Sequence, residues 1–274
     1  MDEKVTRMAA FANAAMFERQ DATAYIAGAP HLKHPSLRSL YENLMMRVFT
    51  SAKSNGDTPT ILDLGAGEGS ATIRFLELGA RVTAVDISET QLRDLRRRCA
   101  RYGDRLRVHC EEIEATMLRE TEAYDVVVMN SFIHHIPDYL AAIGNLLPLL
   151  KPRGQFFSFQ DPLRYDTLER RSYIFSQLAY FSWRMCQGNL WRGLKTRLRR
   201  IRGVYIAGSP EDDAEYHVTR NGVDHAAIAR LLESEHFHCN VVRYFSTQSA
   251  SLQRIGASLS LENTFSIIAQ RQAD

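Results

Sequence analysis

Ile61-Leu62-Asp63-Leu64-Gly65-Ala66-Gly67-Glu68-Gly69-Ser70 is the stretch on which the reading of the whole chain turns. The apolar character of 60–64 predicts a short buried strand, the glycines a turn, and 70–78 a helix. Glycine at 65, 67 and 69 lets the backbone take φ > 0 and come close to a ligand that a Cβ would hold off. Strand, glycine turn and helix in that order open a nucleotide-cofactor site, because the first N–H groups of the helix have no intrahelical partner.

Two cofactor classes compete for such a turn. A dinucleotide site takes G-x-G-x-x-G, with the pyrophosphate on the helix N-terminus and the last glycine allowing close helix-to-strand packing. Here the spacing is G-x-G-x-G, and Ser70 stands where that third glycine would fall. Asp63 adds a carboxylate at the strand end, which disfavours an anion and tolerates a cation or an ammonium. S-adenosylmethionine fits better than a dinucleotide.

The run resembles motif I of the class I S-adenosylmethionine-dependent methyltransferases, of the small-molecule type. The resemblance implies an α/β, Rossmann-like three-layer sandwich around a seven-stranded, mostly parallel sheet with an antiparallel last strand. N-terminal helices and a helical cap inserted after strand 5 complete it. It divides the chain into an N-terminal helical cover at 1–55, a cofactor-binding core at 56–162 and 217–274, and a cap at 163–216. Within motif I it assigns cofactor contacts to Asp63, Gly65, Ala66, Gly67 and Gly69.

The rest of the chain follows the same order. Residues 81–86 read as the second strand and end on Asp86, 21 positions after Gly65. An acid about 20 residues on, at the ligand edge of an open α/β sheet, can accept the ribose hydroxyl protons. Ile87 follows it. The third strand, 106–110, runs into Glu111-Glu112, and the resemblance gives Glu112 the adenine amino group. The continuous apolar run 124–130 predicts a strand buried on both faces, ending at Asn130. It continues as Ser131-Phe132-Ile133-His134-His135-Ile136-Pro137-Asp138, which looks like the segment after strand 4 in small-molecule methyltransferases. The Asn-Pro-Pro-aromatic tetrad of enzymes that modify nucleic-acid bases is absent. Lys151-Pro152-Arg153-Gly154 reads as a turn before the fifth strand, 155–160, and 240–245 with 264–270 as a closing antiparallel hairpin.

Composition bounds the alternatives. The 274 residues are 45% hydrophobic and 24% charged, with a net charge of +2, an ordinary globular balance that gives no reason to expect nucleic acid. The four cysteines form no C-x-x-C pair and no zinc spacing, so no metal is expected. No signal peptide or spanning stretch is recognisable, which makes the cytoplasm the expected compartment.

Residues 163–215 hold both tryptophans and are aromatic and basic. Around Trp191, Leu194, Leu198 and Ile201 the basic residues Arg192, Lys195, Arg197, Arg199, Arg200 and Arg202 predict an amphipathic helix. Three uses stay open for 191–202: a solvated basic face, peripheral contact with anionic lipid, or an anion-binding wall. In the N-terminal cover, the resemblance offers Tyr25 as an aromatic laid over the cofactor.

Transfer from a sulfonium methyl is an in-line displacement, so alignment and exclusion of water carry most of the catalysis. A hydroxyl or ammonium acceptor must also lose a proton. His135, His134 and His217 are the catalytic candidates, with Asp161 after the fifth strand as a further base. The expected reaction is methylation of a bulky, partly apolar small molecule, on oxygen or carbon rather than nitrogen. Other readings are a membrane-associated lipid or quinone-like acceptor, a nucleic-acid methyltransferase, and a non-catalytic cofactor-binding module. Homo-oligomerisation stays open.

Overall fold

The computed structural model describes residues 3–18, 28–54, 58–121, 123–186, 196, 198–200, 202–206, 209–214 and 216–272. Seven strands form one sheet: β1 Thr60–Leu64, β2 Arg81–Asp86, β3 Leu106–Cys110, β4 Tyr124–Asn130, β5 Leu150–Pro162, β6 Phe237–Tyr244 and β7 Thr264–Arg271. Their order is β3-β2-β1-β4-β5-β7-β6. Strands β1 to β5 pair in parallel, and β7 runs antiparallel to both neighbours. All seven residues of β4 are buried, as its unbroken apolar run requires of a strand covered on both faces.

Alternation along the strands separates the two faces. Val126 and Val128 of β4 and Phe157 and Phe159 of β5 pack with the apolar side of the helix Pro35–Lys53 and with the helices Ser70–Leu78 and Glu89–Cys99. Val127, Met129 and Phe156 face the opposite layer, where Ile143 and Leu146 of the helix Tyr139–Leu146 meet Ile228 and Leu232 of the helix His225–Ser234. Several helix starts are fixed by side-chain caps: Ser88, Asp138, Asp224 and Ser249 each accept an N–H three residues on.

One expectation changes between β4 and β5. Lys151–Gly154 loops out of the ladder as a bulge, so that Tyr124 pairs with Leu150 but Val126 with Gln155. The last two strands form the expected antiparallel pair and are connected through the helix Ala250–Ser258. The cap contains the helix Arg170–Cys186, and the N-terminal helix Glu3–Phe17 packs on the turn Pro210–Ala214 that ends the cap. Tyr25, Trp191, Arg192, Leu194, Lys195, Arg197 and Ile201 lie outside the described residues. Among those described, no helix is long and apolar enough to cross a membrane.

Candidate functional site

A cleft of about 1170 Å³ opens along the C-terminal ends of β1, β2 and β4 and is roofed by the N-terminal and cap helices. That edge is where an open parallel sheet leaves room for a ligand. The glycine turn forms its floor. Gly65, Gly67 and Gly69 have φ of 70°, 52° and 92°, and a Cβ on Gly65 would sit 2.3 Å from Cδ2 of Phe132. The turn therefore follows the path that its glycines permit, with Phe132 laid directly on it.

Asp86 closes one side of the turn. Its Oδ2 accepts the Gly67 N–H at 2.8 Å and its Oδ1 the Ser88 N–H at 2.9 Å. Burial pushes its pKa up, and these N–H groups pull it back. Each oxygen keeps a second lone pair, and Asp86 and Ile87 both line the cleft. At the end of β3 the two acids separate. Glu111 is held by Arg119 at 2.7 Å and by Thr116 at 2.9 Å, whereas among the described residues the Glu112 side chain forms no such pair. Ala66 and Asn130 line the cleft too, and the buried Oδ1 of Asn130 has no hydrogen-bond partner.

Asp63 is placed differently from the other motif residues. It lies beneath the cleft, 1% exposed, and its Oδ2 accepts the Thr72 hydroxyl at 2.5 Å. Burial raises its pKa to about 7, with Asp86 and Glu68 adding repulsion against the Thr72 hydrogen bond. Asp63 thus ties the glycine turn to the following helix and is not part of the cleft wall.

The three histidines are not equivalent. His134 lines the cleft, its Nδ1–H donates to Asp161 Oδ1 at 2.8 Å, and its backbone N–H reaches the same oxygen at 3.1 Å. With Nδ1 protonated, the ring's lone pair is on Nε2. Asp161 is fully buried, its Oδ2 has no hydrogen-bond partner, and burial lifts its pKa to about 7. His135 lies tilted at 42° against His134 with ring centroids 4.1 Å apart and donates from Nδ1 to the Ala214 carbonyl. It lines the cleft, and burial followed by repulsion from His134 lowers its pKa to about 3. His217 is not among the cleft residues. Its Nε2 contacts the carbonyls of Ile136 and Pro137 at 3.0 and 3.2 Å, and its backbone N–H that of His134 at 2.8 Å. His217 pins the returning cap onto the segment after β4, a clamp where sequence reading placed a base.

The cap wall is formed largely by one face of the helix Arg170–Cys186, through Tyr173, Ser176, Gln177, Tyr180, Trp183 and Arg184. His31 and Gln160 also line the cleft. Neither the wall nor the Asp161–His134 pairing was identified from sequence beyond the aromatic richness of the cap and the position of Asp161. Of the basic run, Arg199 and Arg200 turn inward onto Asp212, at 2.6 and 2.8 Å. Burial pushes the Asp212 pKa up, but the Ile206 N–H and the two guanidinium groups outweigh it and hold it below the usual value. Among the described residues no group of His, Cys, Asp and Glu is arranged to hold a metal.

Comparison with known proteins bears on this geometry. Residues 62–156 match the family described as methyltransferase domain. The ubiquinone biosynthesis O-methyltransferase of Idiomarina loihiensis is 32% identical over 97 residues, 35% of this chain and 40% of that protein. The Nitrosospira multiformis enzyme of the same name is 27% identical over 121 residues, 43% and 48% of the two chains. The matches thus span under half the length of these curated relatives. Among solved structures, magnesium protoporphyrin IX methyltransferase from Synechocystis PCC 6803 with bound S-adenosylhomocysteine superposes with a TM-score of 0.55 at 14% identity, covering 98% of this chain and 100% of that one. The plantazolicin methyltransferase BamL gives 0.53 at 14% identity, with 97% of each chain covered. The chain has the Rossmann-like fold of these S-adenosylmethionine-dependent methyltransferase structures, and its residues 62–156 match the methyltransferase-domain family.

Proposed function

We propose that the protein transfers a methyl group from S-adenosylmethionine to a hydroxyl of a bulky, partly apolar small molecule, a hydroxylated aromatic or quinol. The residues at the sheet edge suit the donor: glycine backbone that admits close approach, the Asp86 carboxylate for the ribose hydroxyls, and Glu112 for the adenine amino group. When bound, S-adenosylmethionine supplies an electrophilic sulfonium methyl that passes in line to the acceptor oxygen. Acceptance of the hydroxyl proton falls to His134 Nε2, with Asp161 fixing the tautomer and stabilising the imidazolium that forms. His135, held to a very low pKa by burial, is the poorer base and packs beside the active ring. The observation that carries this reading is the buried Asp161–His134 pair opening onto the same cleft as Asp86. The name of the relatives supports an oxygen acceptor, and Tyr173, Tyr180 and Trp183 give the same cleft an aromatic wall.

The test is formation of S-adenosylhomocysteine from S-adenosylmethionine across a panel of catechols, hydroxyquinols and their N- and C-nucleophile counterparts. Turnover on hydroxyl acceptors is the expected result. Donor binding without turnover on any of them would reduce the protein to a binding module.

A further inference from the structure

The ionisable groups around the cleft are segregated. Its acids, Glu68, Asp86, Glu111, Glu112 and Glu114, all come from the β1–β3 end, and its arginines, Arg184, Arg200 and Arg220, from the cap side. Arg200 is neutralised by Asp212 and Arg220 by Asp213 at 3.0 Å. Arg184 has no acidic partner among the described residues. The acids at the start of its helix face other cations, since Glu169 pairs with Arg171 and Asp166 with Arg164. From residue 170 to residue 210 the sequence contains nine Arg or Lys and no Asp or Glu. A guanidinium is placed on the wall of the cleft in a stretch that supplies no acid to meet it.

It is also held in position. Arg184 Nε donates to Tyr180 Oη at 3.0 Å, and its guanidinium carbon lies 5.3 and 5.4 Å from the ring centroids of Tyr180 and Trp183. Stacking and one hydrogen bond fix the plane while leaving further N–H donors on the fork, the arrangement that recognises a carboxylate through two bonds. We infer that Arg184 is the specificity-determining residue for the acceptor and that the acceptor is an aromatic carboxylate, bound with its ring along Tyr180 and Trp183. This assignment rests on the methyl-transfer reading above and narrows its substrate class. It puts an anion-binding group ahead of 191–202, the stretch for which an anion-binding wall was one of three open uses.

The probes are 3,4-dihydroxybenzoate and 3,4-dihydroxyhydrocinnamate, each compared with its methyl ester, titrated into the full chain with S-adenosylhomocysteine bound. Wild type should bind the acids about 10- to 100-fold more tightly than the esters, the range for a hydrogen-bonded charge pair. Arg184→Gln should bring the two affinities to within about twofold while leaving ester and S-adenosylhomocysteine binding unchanged, and Arg184→Lys should retain part of the preference. Arg202→Gln, an exposed change in the same basic stretch, should retain all of it. Equal affinity for acid and ester in wild type, a preference that survives Arg184→Gln, or binding of neither probe would overturn the assignment. Failure to bind S-adenosylhomocysteine would instead overturn the methyl-transfer reading.

Discussion

Replacing Asp161 by Asn tests how the site activates its acceptor. Asp161 Oδ1 takes both the ring and the backbone N–H of His134, at 2.8 and 3.1 Å, so an amide oxygen in the same place preserves the geometry and removes the charge. A hydrogen bond to a charged group contributes about 1.5–3 kcal/mol against about 0.5–1.5 for a neutral pair, a difference of about 1–1.5 kcal/mol. If the imidazolium forms in the transition state, that difference corresponds to roughly a tenfold fall in kcat. Removing the ring in His134→Ala should cost about 10²- to 10⁴-fold, the usual contribution of a general base. The two groups act as one unit, so Asp161→Asn should add almost nothing once His134 is gone. The assay is the initial rate of S-adenosylhomocysteine formation at saturating donor with the best hydroxyl acceptor, in wild type, both single variants and the double variant. Equal losses from Asp161→Asn in the presence and absence of His134 would refute the coupling. So would His135→Ala slowing transfer as much as His134→Ala.

Two further predictions concern the floor of the cleft. Gly65→Ala should lower stability by about 1–3 kcal/mol through left-handed backbone strain alone. It should also weaken donor binding, because the new methyl displaces Phe132; unchanged melting temperature and affinity would contradict the close approach. Asp63 carries a folded-state pKa of about 7 against the ordinary 3.8, so its neutral form is favoured by folding, and the stability it provides is present below about pH 4 and lost as pH rises through 7. Asp63→Asn keeps the Thr72 bond without ionising, and should gain on wild type by up to about 1.4 kcal/mol per pH unit across that window. Thermal melts of both proteins from pH 5 to pH 8 read the difference, and a gap that does not change with pH would contradict it.

The parts legible in the sequence were those set by local chemistry. The β1 strand and its glycine turn, the uninterrupted apolar run of β4, and Asp86 at a strand end depend on residue type and short spacing alone. The Asp161–His134 pair does not, because the partners are 27 positions apart and meet only through the pairing of Asn130 with Phe159 at the ends of β4 and β5. The same limit applies to His217, whose position near the cleft is readable but whose side-chain direction is not. Asp63 shows the converse. Its motif position points to a ligand contact, yet the packing of β1 under the turn directs its carboxyl to Thr72. The wall of the cap was hidden for a different reason. Tyr173, Ser176, Gln177, Tyr180, Trp183 and Arg184 share a helix face by spacing, but they are too mixed in polarity to register as the apolar stripe that periodicity detects.

The central claim is that the edge formed by the glycine turn and Asp86 holds S-adenosylmethionine. Calorimetric titration of S-adenosylmethionine into wild type and Asp86→Asn tests it most directly. The account predicts one donor per chain in wild type and about tenfold weaker binding in the variant, from the loss of charge-assisted bonds to the ribose. No binding to wild type, or equal affinity in the two proteins, would contradict it.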